Sequence, residues 1–277
     1  MKLFAVWLYV LSICSLGAQT HETLLSRVSV LTIHVSDTNI HDRVFHFLTD
    51  VLDLPVDYYP EMLGERRYAA VYAGNMFIEP CGPYSNMRYP RKGFKALFFG
   101  LNCNSDKSSS GITTDLQRLN IAHTADSETF RIHDASLAEG IYLAIKSSAQ
   151  KTRSEAKEVS LQSAMVANSR KGVGFEYVKE IWLGYTGSSD LNAWKQFLGA
   201  SGRVNDTLWK LSKNQSLRFV RSEFKGVLGI VCKVQSMENA EKYLKEKKSL
   251  GRTIDGKIEI DQAQTCGLSI LLTEDGR

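Results

Sequence analysis

The sequence predicts an α+β fold of four β-α-β-β-β modules paired into two domains, and three observations carry the prediction. Four times along the chain, a strand-like run with a period of two is followed by one amphipathic helix and then by further extended segments. A polar stretch, residues 148–174, separates the first two modules from the last two. Finally, the run from Asp134 to Gly140 matches the run from Asp261 to Gly267: each has an Asp six residues before a Gly that opens an apolar final strand, the mark of an internal repeat.

The first module spans residues 28–83. Its opening strand, 28–35, alternates Val28, Val30, Thr32 and His34 with Ser29, Leu31, Ile33 and Val35, so His34 shares a face with Val30 and Thr32. A helix is predicted over 39–52, with Asn39 or Asp37 as its N-cap and Asp42 placed for a capping box. Ile40, Val44, Phe47, Leu48 and Val51 recur at helical spacing and form the stripe that covers a sheet. Pro55 stops the helix, strands are expected over 56–59, 67–73 and 75–79, and Gly74-Asn75 is a hairpin signal. Residues 21–27, ahead of all this, read as a polar, mobile lead.

The second module, 94–147, offers a strand at 95–103, a helix at 112–119 and strands at 128–132 and 141–146. The stretch 148–174 reads as a linker with 155–167 able to turn helical. The third module, 175–222, places strands at 177–185, 209–211 and 217–221 around a helix at 191–198. The fourth, 226–273, has strands at 227–234, 258–260 and 268–272 and a helix at 238–247. The expected domains are therefore 28–147 and 175–273.

A chain of 277 residues, 43% hydrophobic and 10% aromatic, is long enough for two cores of ordinary size. Its net charge of +4 is spread as mixed signs without a basic block, which argues against a nucleic-acid partner. Residues 1–18 have the layout of a secretory signal peptide: Lys2, an apolar run over 3–13, then Ser15, Gly17 and Ala18. A retained anchor or a lipoprotein signal at Cys14 are the alternatives, the latter weakened by Ile13. Export implies a secreted or periplasmic protein that keeps Cys81, Cys103, Cys232 and Cys266 and has no membrane segment after cleavage. Two readings stand for these cysteines, disulfides Cys81–Cys103 and Cys232–Cys266, or four buried thiols.

With those residues placed, HVSD (34–37), FHFLTDVLDLPV (45–56) and YAAVYAGNMFIEPCGP (68–83) resemble the first module of the vicinal oxygen chelate superfamily. That superfamily includes glyoxalase I, bleomycin-resistance proteins, extradiol dioxygenases and fosfomycin-resistance proteins. No subfamily is identified. The resemblance implies two cupped, glyoxalase-like domains, with a divalent metal (Zn, Ni, Fe or Mn) in a cup between first and final strands. Carried over by position, Glu79 matches the metal-binding glutamate of the final strand, whereas the first-strand ligand position falls at Val30. His34 falls where glyoxalase-type sequences often carry a basic residue that contacts substrate. Comparable positions of the second module hold Phe98, Phe99, Leu101, Asn102, Tyr142 and Ala144, without imidazole or carboxylate.

His34 and Glu79 are thus the candidate catalytic and metal-binding residues, an incomplete ligand set, since even a catalytic zinc takes three protein ligands. Each has a plain alternative, His34 as a hydrogen-bonded core histidine and Glu79 as a strand-end carboxylate. His41 and Asp42 read as helix-surface residues, with Asp42 and His46 an i,i+4 pair, and His123 and His133 as bystanders. Arg66, Arg67, Arg88, Arg91 and Lys92 suit either a cationic rim or ordinary surface charge. Asn205 and Asn214 fit glycosylation acceptors in a eukaryotic host. No nucleophile elbow, phosphate-binding loop, zinc-protease helix or dinucleotide fingerprint is present.

Two functions are carried forward. One is an exported, metal-dependent lyase, isomerase or dioxygenase acting on a small oxygenated substrate in the first cup. The other is a metal-free small-molecule binding protein of the bleomycin-resistance type. In either, the partner is a small ligand, and a homodimer is open.

Overall fold

The structure, a computed structural model, describes residues 23–83, 96–139, 141–148, 155–265 and 267–274. The expected signal segment, Arg88, Arg91, Lys92, Gly140 and Cys266 lie outside them, as does the side chain of Phe98.

The first strand, β1 (Arg27–Val35), turns its Leu31, Ile33 and Val35 into the core. The chain then enters a helix, α1 (Thr38–His46), capped by Asp37, whose carboxylate accepts from the Ile40 amide at 2.8 Å. Asp37 rather than Asn39 is the cap because its extended backbone leaves the carboxylate beside the first free amides. The last turn, Phe47–Val51, widens to a π-helix, which keeps Phe47 and Leu48 both buried at the end of the stripe. A long hairpin follows, β2 (Val56–Leu63) and β3 (Arg66–Tyr72), then β4 (Phe77–Gly82).

The second module supplies β5 (Ala96–Asn104), α2 (Ser109–Arg118), β6 (His123–Asp126), β7 (Thr129–Ile132), a single turn α3 (Ala135–Ala138) and β8 (Ile141–Lys146). These eight strands form one mixed sheet in the order β2-β3-β4-β1-β5-β8-β7-β6. At its centre β1 runs parallel to β4 and antiparallel to β5.

The polar stretch is a helix, α4 (Glu155–Asn168), held to the body by buried Leu161 and Met165, one turn apart. Beyond it come β9 (Phe175–Tyr185), α5 (Ser188–Leu198), β10 (Arg203–Asn205), β11 (Leu208–Ser212) and β12 (Gln215–Arg221). The chain closes with β13 (Gly226–Val234), α6 (Met237–Glu246), β14 (Leu250–Ile254), β15 (Lys257–Ile260) and β16 (Ser269–Thr273). The second sheet has the order β10-β11-β12-β9-β13-β16-β15-β14, the first order shifted by eight. The fold class is α+β, with β-α-β-β-β modules paired into two glyoxalase-like sheets. Asp134 and Asp261 act alike before the final strands, each accepting from the amide two residues on, at 2.9 and 3.0 Å.

Several expectations are corrected. Leu24 and Leu25 are buried, so the lead before β1 is anchored in the core. His41 is fully buried under α1, and Asp42 pairs with Arg67 at 2.9 Å, leaving His46 to Asp50. Of the two cysteine readings, the disulfide Cys81–Cys103 is the one corrected, since Cys81, Cys103 and Cys232 are buried thiols, and burial pushes Cys103 up to about 12. Among the described residues no helix is long and apolar enough to cross a membrane.

The two sheets are bound by reciprocal amide contacts. Asn75, in the β3–β4 turn, donates to the Val178 carbonyl at 2.9 Å and accepts from its amide at 3.1 Å. Gln215, after the β11–β12 turn, accepts from the Val28 amide at 2.7 Å and donates to its carbonyl at 3.1 Å. Gly74 allows the approach: at φ +80°, a Cβ there would lie 1.9 Å from the Glu176 carbonyl oxygen.

Candidate functional site

Strand register fixes what the cupped face of the first sheet presents. In one row Phe77, Val30, Asn102 and Ala144 stand side by side on β4, β1, β5 and β8. In the next row stand Glu79, Thr32, Gly100 and Tyr142. His34 is one same-face step further along β1, beside Cys81. The alternation that sends Leu31 and Ile33 into the core is what sends Val30, Thr32 and His34 into the cup.

A cavity of about 880 Å³ lies over the first of these rows and reaches Glu79. Its side walls are Tyr58 and Tyr72 of the β2–β3 hairpin, Lys157 and Gln162 of α4, and the β11–β12 turn of the second sheet, Ser212 to Gln215. The wall is braced. Lys157 meets Asp57 at 2.7 Å, with the Asp57 side chain 1% exposed. The Tyr72 hydroxyl faces Gln162 Oε1 at 2.6 Å and the Gly74 carbonyl, while burial and the nearby Glu158 charge push its pKa up.

Of the two candidate site residues, one lines the cavity. Glu79 is half-buried and lines the cavity, whereas His34 is buried at 7% exposure and is not part of its wall. The imidazole packs over Gly100: a Cβ there would sit 3.3 Å from Nε2. Burial first, and the Arg66 charge second, lower its pKa to about 3, so the ring is neutral throughout the physiological range. A neutral ring is competent to bind a metal, yet the position at which the resemblance expects a first-strand ligand is Val30, whose row of Phe77, Asn102 and Ala144 contains no imidazole, thiol or carboxylate. Among the described residues no group of three His, Cys, Asp or Glu is placed to hold a metal ion. The sequence of 84–95 contributes none of those residue types. Among the described residues the donor set does not fit a divalent metal centre.

Other histidines are engaged outside the cup. His41 bonds Asp42 on the helix side of the sheet, and burial lowers its pKa despite that partner. His123 bonds the Ile121 carbonyl and His133 the Thr124 hydroxyl, both at 2.8 Å.

The corresponding face of the second sheet carries internal ion pairs. Arg218 grips Glu180 through two bonds of 2.7 and 3.0 Å, and Trp182 adds a third at 3.0 Å. Glu259 accepts from Arg252, Gln262 and Ser269 at 2.6–2.7 Å. Burial raises both carboxyl pKa values, but these bonds outweigh it and hold them below the usual range.

Sequence reasoning missed Arg27, Asp57, Lys146 and Gln215. Arg27 and Lys146 stand at strand ends and read as ordinary surface charge. Asp57 falls in the strand expected over 56–59, where nothing local marks it as buried, and Gln215 opens β12 with side-chain contacts that are all long-range.

No family model matches the sequence, and no curated protein matches it. Solved structures do match. A mutant of 4-hydroxymandelate synthase from Streptomyces coelicolor superposes with a TM-score of 0.62 at 10% identity, covering 90% of this chain and 92% of that one. The Mn(II)-bound glyoxalase from Novosphingobium aromaticivorans gives 0.55 at 12% identity, over 91% and 83%. A variant of homoprotocatechuate 2,3-dioxygenase from B. fuscum gives 0.58 at 11% identity, over 92% and 72%. At these identities the likeness is one of fold. The fold is the two-domain vicinal oxygen chelate fold that the first module resembles.

Proposed function

We propose that this protein binds a small organic ligand in the cavity over the first sheet and holds it with protein side chains alone. The observation that carries the reading is the row beneath the cavity: Val30 occupies the position at which the resemblance expects a first-strand ligand and Asn102 and Ala144 its neighbours, leaving Glu79 without a ligand set. The cavity volume is in the range of ordinary small-molecule sites. Similar folds are borne by the enzymes named above, one of them in complex with HPCA, which supports a small-molecule ligand. Export through residues 1–18 belongs to the same proposal and would put the ligand outside the cytoplasm.

Metal-assisted isomerisation, lyase chemistry or oxygenation is the competing reading, and it rests on Glu79 and His34 sharing the cupped face. Metal analysis of the tag-free protein after exposure to nickel, zinc, iron or manganese separates the two. The binding reading expects substoichiometric metal and fragment binding that is indifferent to chelator. Stoichiometric metal that is lost in both His34→Ala and Glu79→Ala would overturn it.

A further inference from the structure

We infer that the ligand of this cavity is an organic carboxylate whose anion is received by Arg27, an inference that rests on the binding function proposed above. Arg27 lines the cavity and is exposed. With the Asn104 amide oxygen turned toward it, Nη2 and Nε donate at 3.0 and 3.1 Å, and the Asn104 nitrogen donates to Ser29 Oγ at 3.0 Å.

That contact orients the guanidinium without neutralising it. Asn104 takes the side edge, Nε and Nη2, and the end edge, Nη1 and Nη2, stays open to a planar two-oxygen acceptor. Among the described residues no carboxylate pairs with Arg27, although Glu158 stands in the same cavity wall. Lys213, on the β11–β12 turn, adds a second positive charge to the cavity wall. Lys157 is different, because Asp57 already faces it at 2.7 Å.

Glu79 stands at the other end of the cavity floor, two same-face rows from Arg27, roughly 13 Å along the strands at about 3.3 Å per residue. The stem between crosses Val30 and Phe77 and is apolar. Lys213 comes from the second half of the chain, so the second sheet contributes to ligand binding through that turn.

The test uses the full-length protein and two matched pairs, benzoate with benzamide and 4-phenylbutyrate with its primary amide, measured by calorimetry and by NMR of the protein's tyrosine resonances. Each acid is expected to bind about tenfold tighter than its amide, an advantage that shrinks with added salt. Arg27→Gln brings acid and amide to within about twofold while the melting temperature is unchanged, because the side chain is exposed. Lys213→Gln weakens the acids two- to threefold and spares the amides, as roughly expected of an exposed charge. An acid-to-amide ratio that survives Arg27→Gln overturns the inference, as do amides that bind as tightly as acids; both outcomes leave the proposed function standing. If neither acids nor amides shift the resonances of Tyr58 or Tyr72, the cavity reading falls and takes the inference with it.

Discussion

Asn75 and Gln215 perform the same act in opposite directions. Each follows or forms a hairpin turn in one sheet, and each uses its side-chain amide to satisfy both backbone groups of a valine near the start of the other sheet's first strand. Because Gln215 is 2% exposed, its loss leaves the Val28 N–H and C=O buried without replacement. Gln215→Ala is expected to cost about 2–4 kcal/mol. The more exposed Asn75→Ala is expected to cost about 1 kcal/mol. Urea unfolding of both singles and the double tests this. A double mutant costing less than the sum would show that the two contacts brace one junction.

Gly74→Ala should be more damaging than its surface position suggests. The left-handed backbone strains any Cβ, and the Glu176 carbonyl occupies the space it needs. A loss of about 2 kcal/mol or more is expected, read as a lower urea midpoint. An Ala variant as stable as the parent would mean that the two sheets do not approach as described.

Acid should destabilise the protein before its carboxylates titrate. His34 has a folded pKa of about 3 against 6.5 unfolded, so between those values the unfolded state binds more protons. Its contribution is whole above pH 6.5 and declines as pH falls toward 3. His41 is lowered in the same direction, again mainly by burial. Stability measured at pH 7.5, 5.5 and 4.5 should fall by about 1.4 kcal/mol per pH unit, at most, for each histidine. His34→Gln should flatten the curve in that window and leave the further loss in stronger acid, where Asp190, held at about 2, and Glu180, held below its usual range, take up protons.

The wall made by α4 has its own test. Lys157→Met removes the partner seen at 2.7 Å from a carboxylate whose side chain is 1% exposed. Hydrogen exchange across 155–168 is expected to quicken, and global stability to drop by roughly 1–3 kcal/mol. Unchanged exchange would show that Leu161 and Met165 alone seat the helix.

Local pattern in the sequence was sufficient for the layout of the fold. The alternation in β1 set the facing of His34 and Val30, the apolar stripe set α1, and Gly74-Asn75 set a turn. Short edge strands such as β10 and β14, largely solvent-facing, carry no such alternation and were invisible. The π-helical end of α1 and the burial of His41 depend on what packs against the helix, which spacing along one helix does not encode. The site was harder still. Glu79 was legible because its position on a final strand is local, but that it lines the cavity while His34 does not follows from α4 and the β11–β12 turn closing over one part of the cup. Those segments lie about 80 and 135 residues along the chain from Glu79, and only the folded register brings them there.

The helix α4 has a consequence for how this molecule can be taken apart. It is the covalent tie between the halves and at the same time a face of the cavity. A cut ahead of it would give the first half a complete sheet and an open trough, and a cut behind it would strip away the turn that bears Lys213. Neither half holds the whole cavity. Grafting, splitting or circularly permuting the chain would have to preserve the connector as faithfully as the sheets themselves.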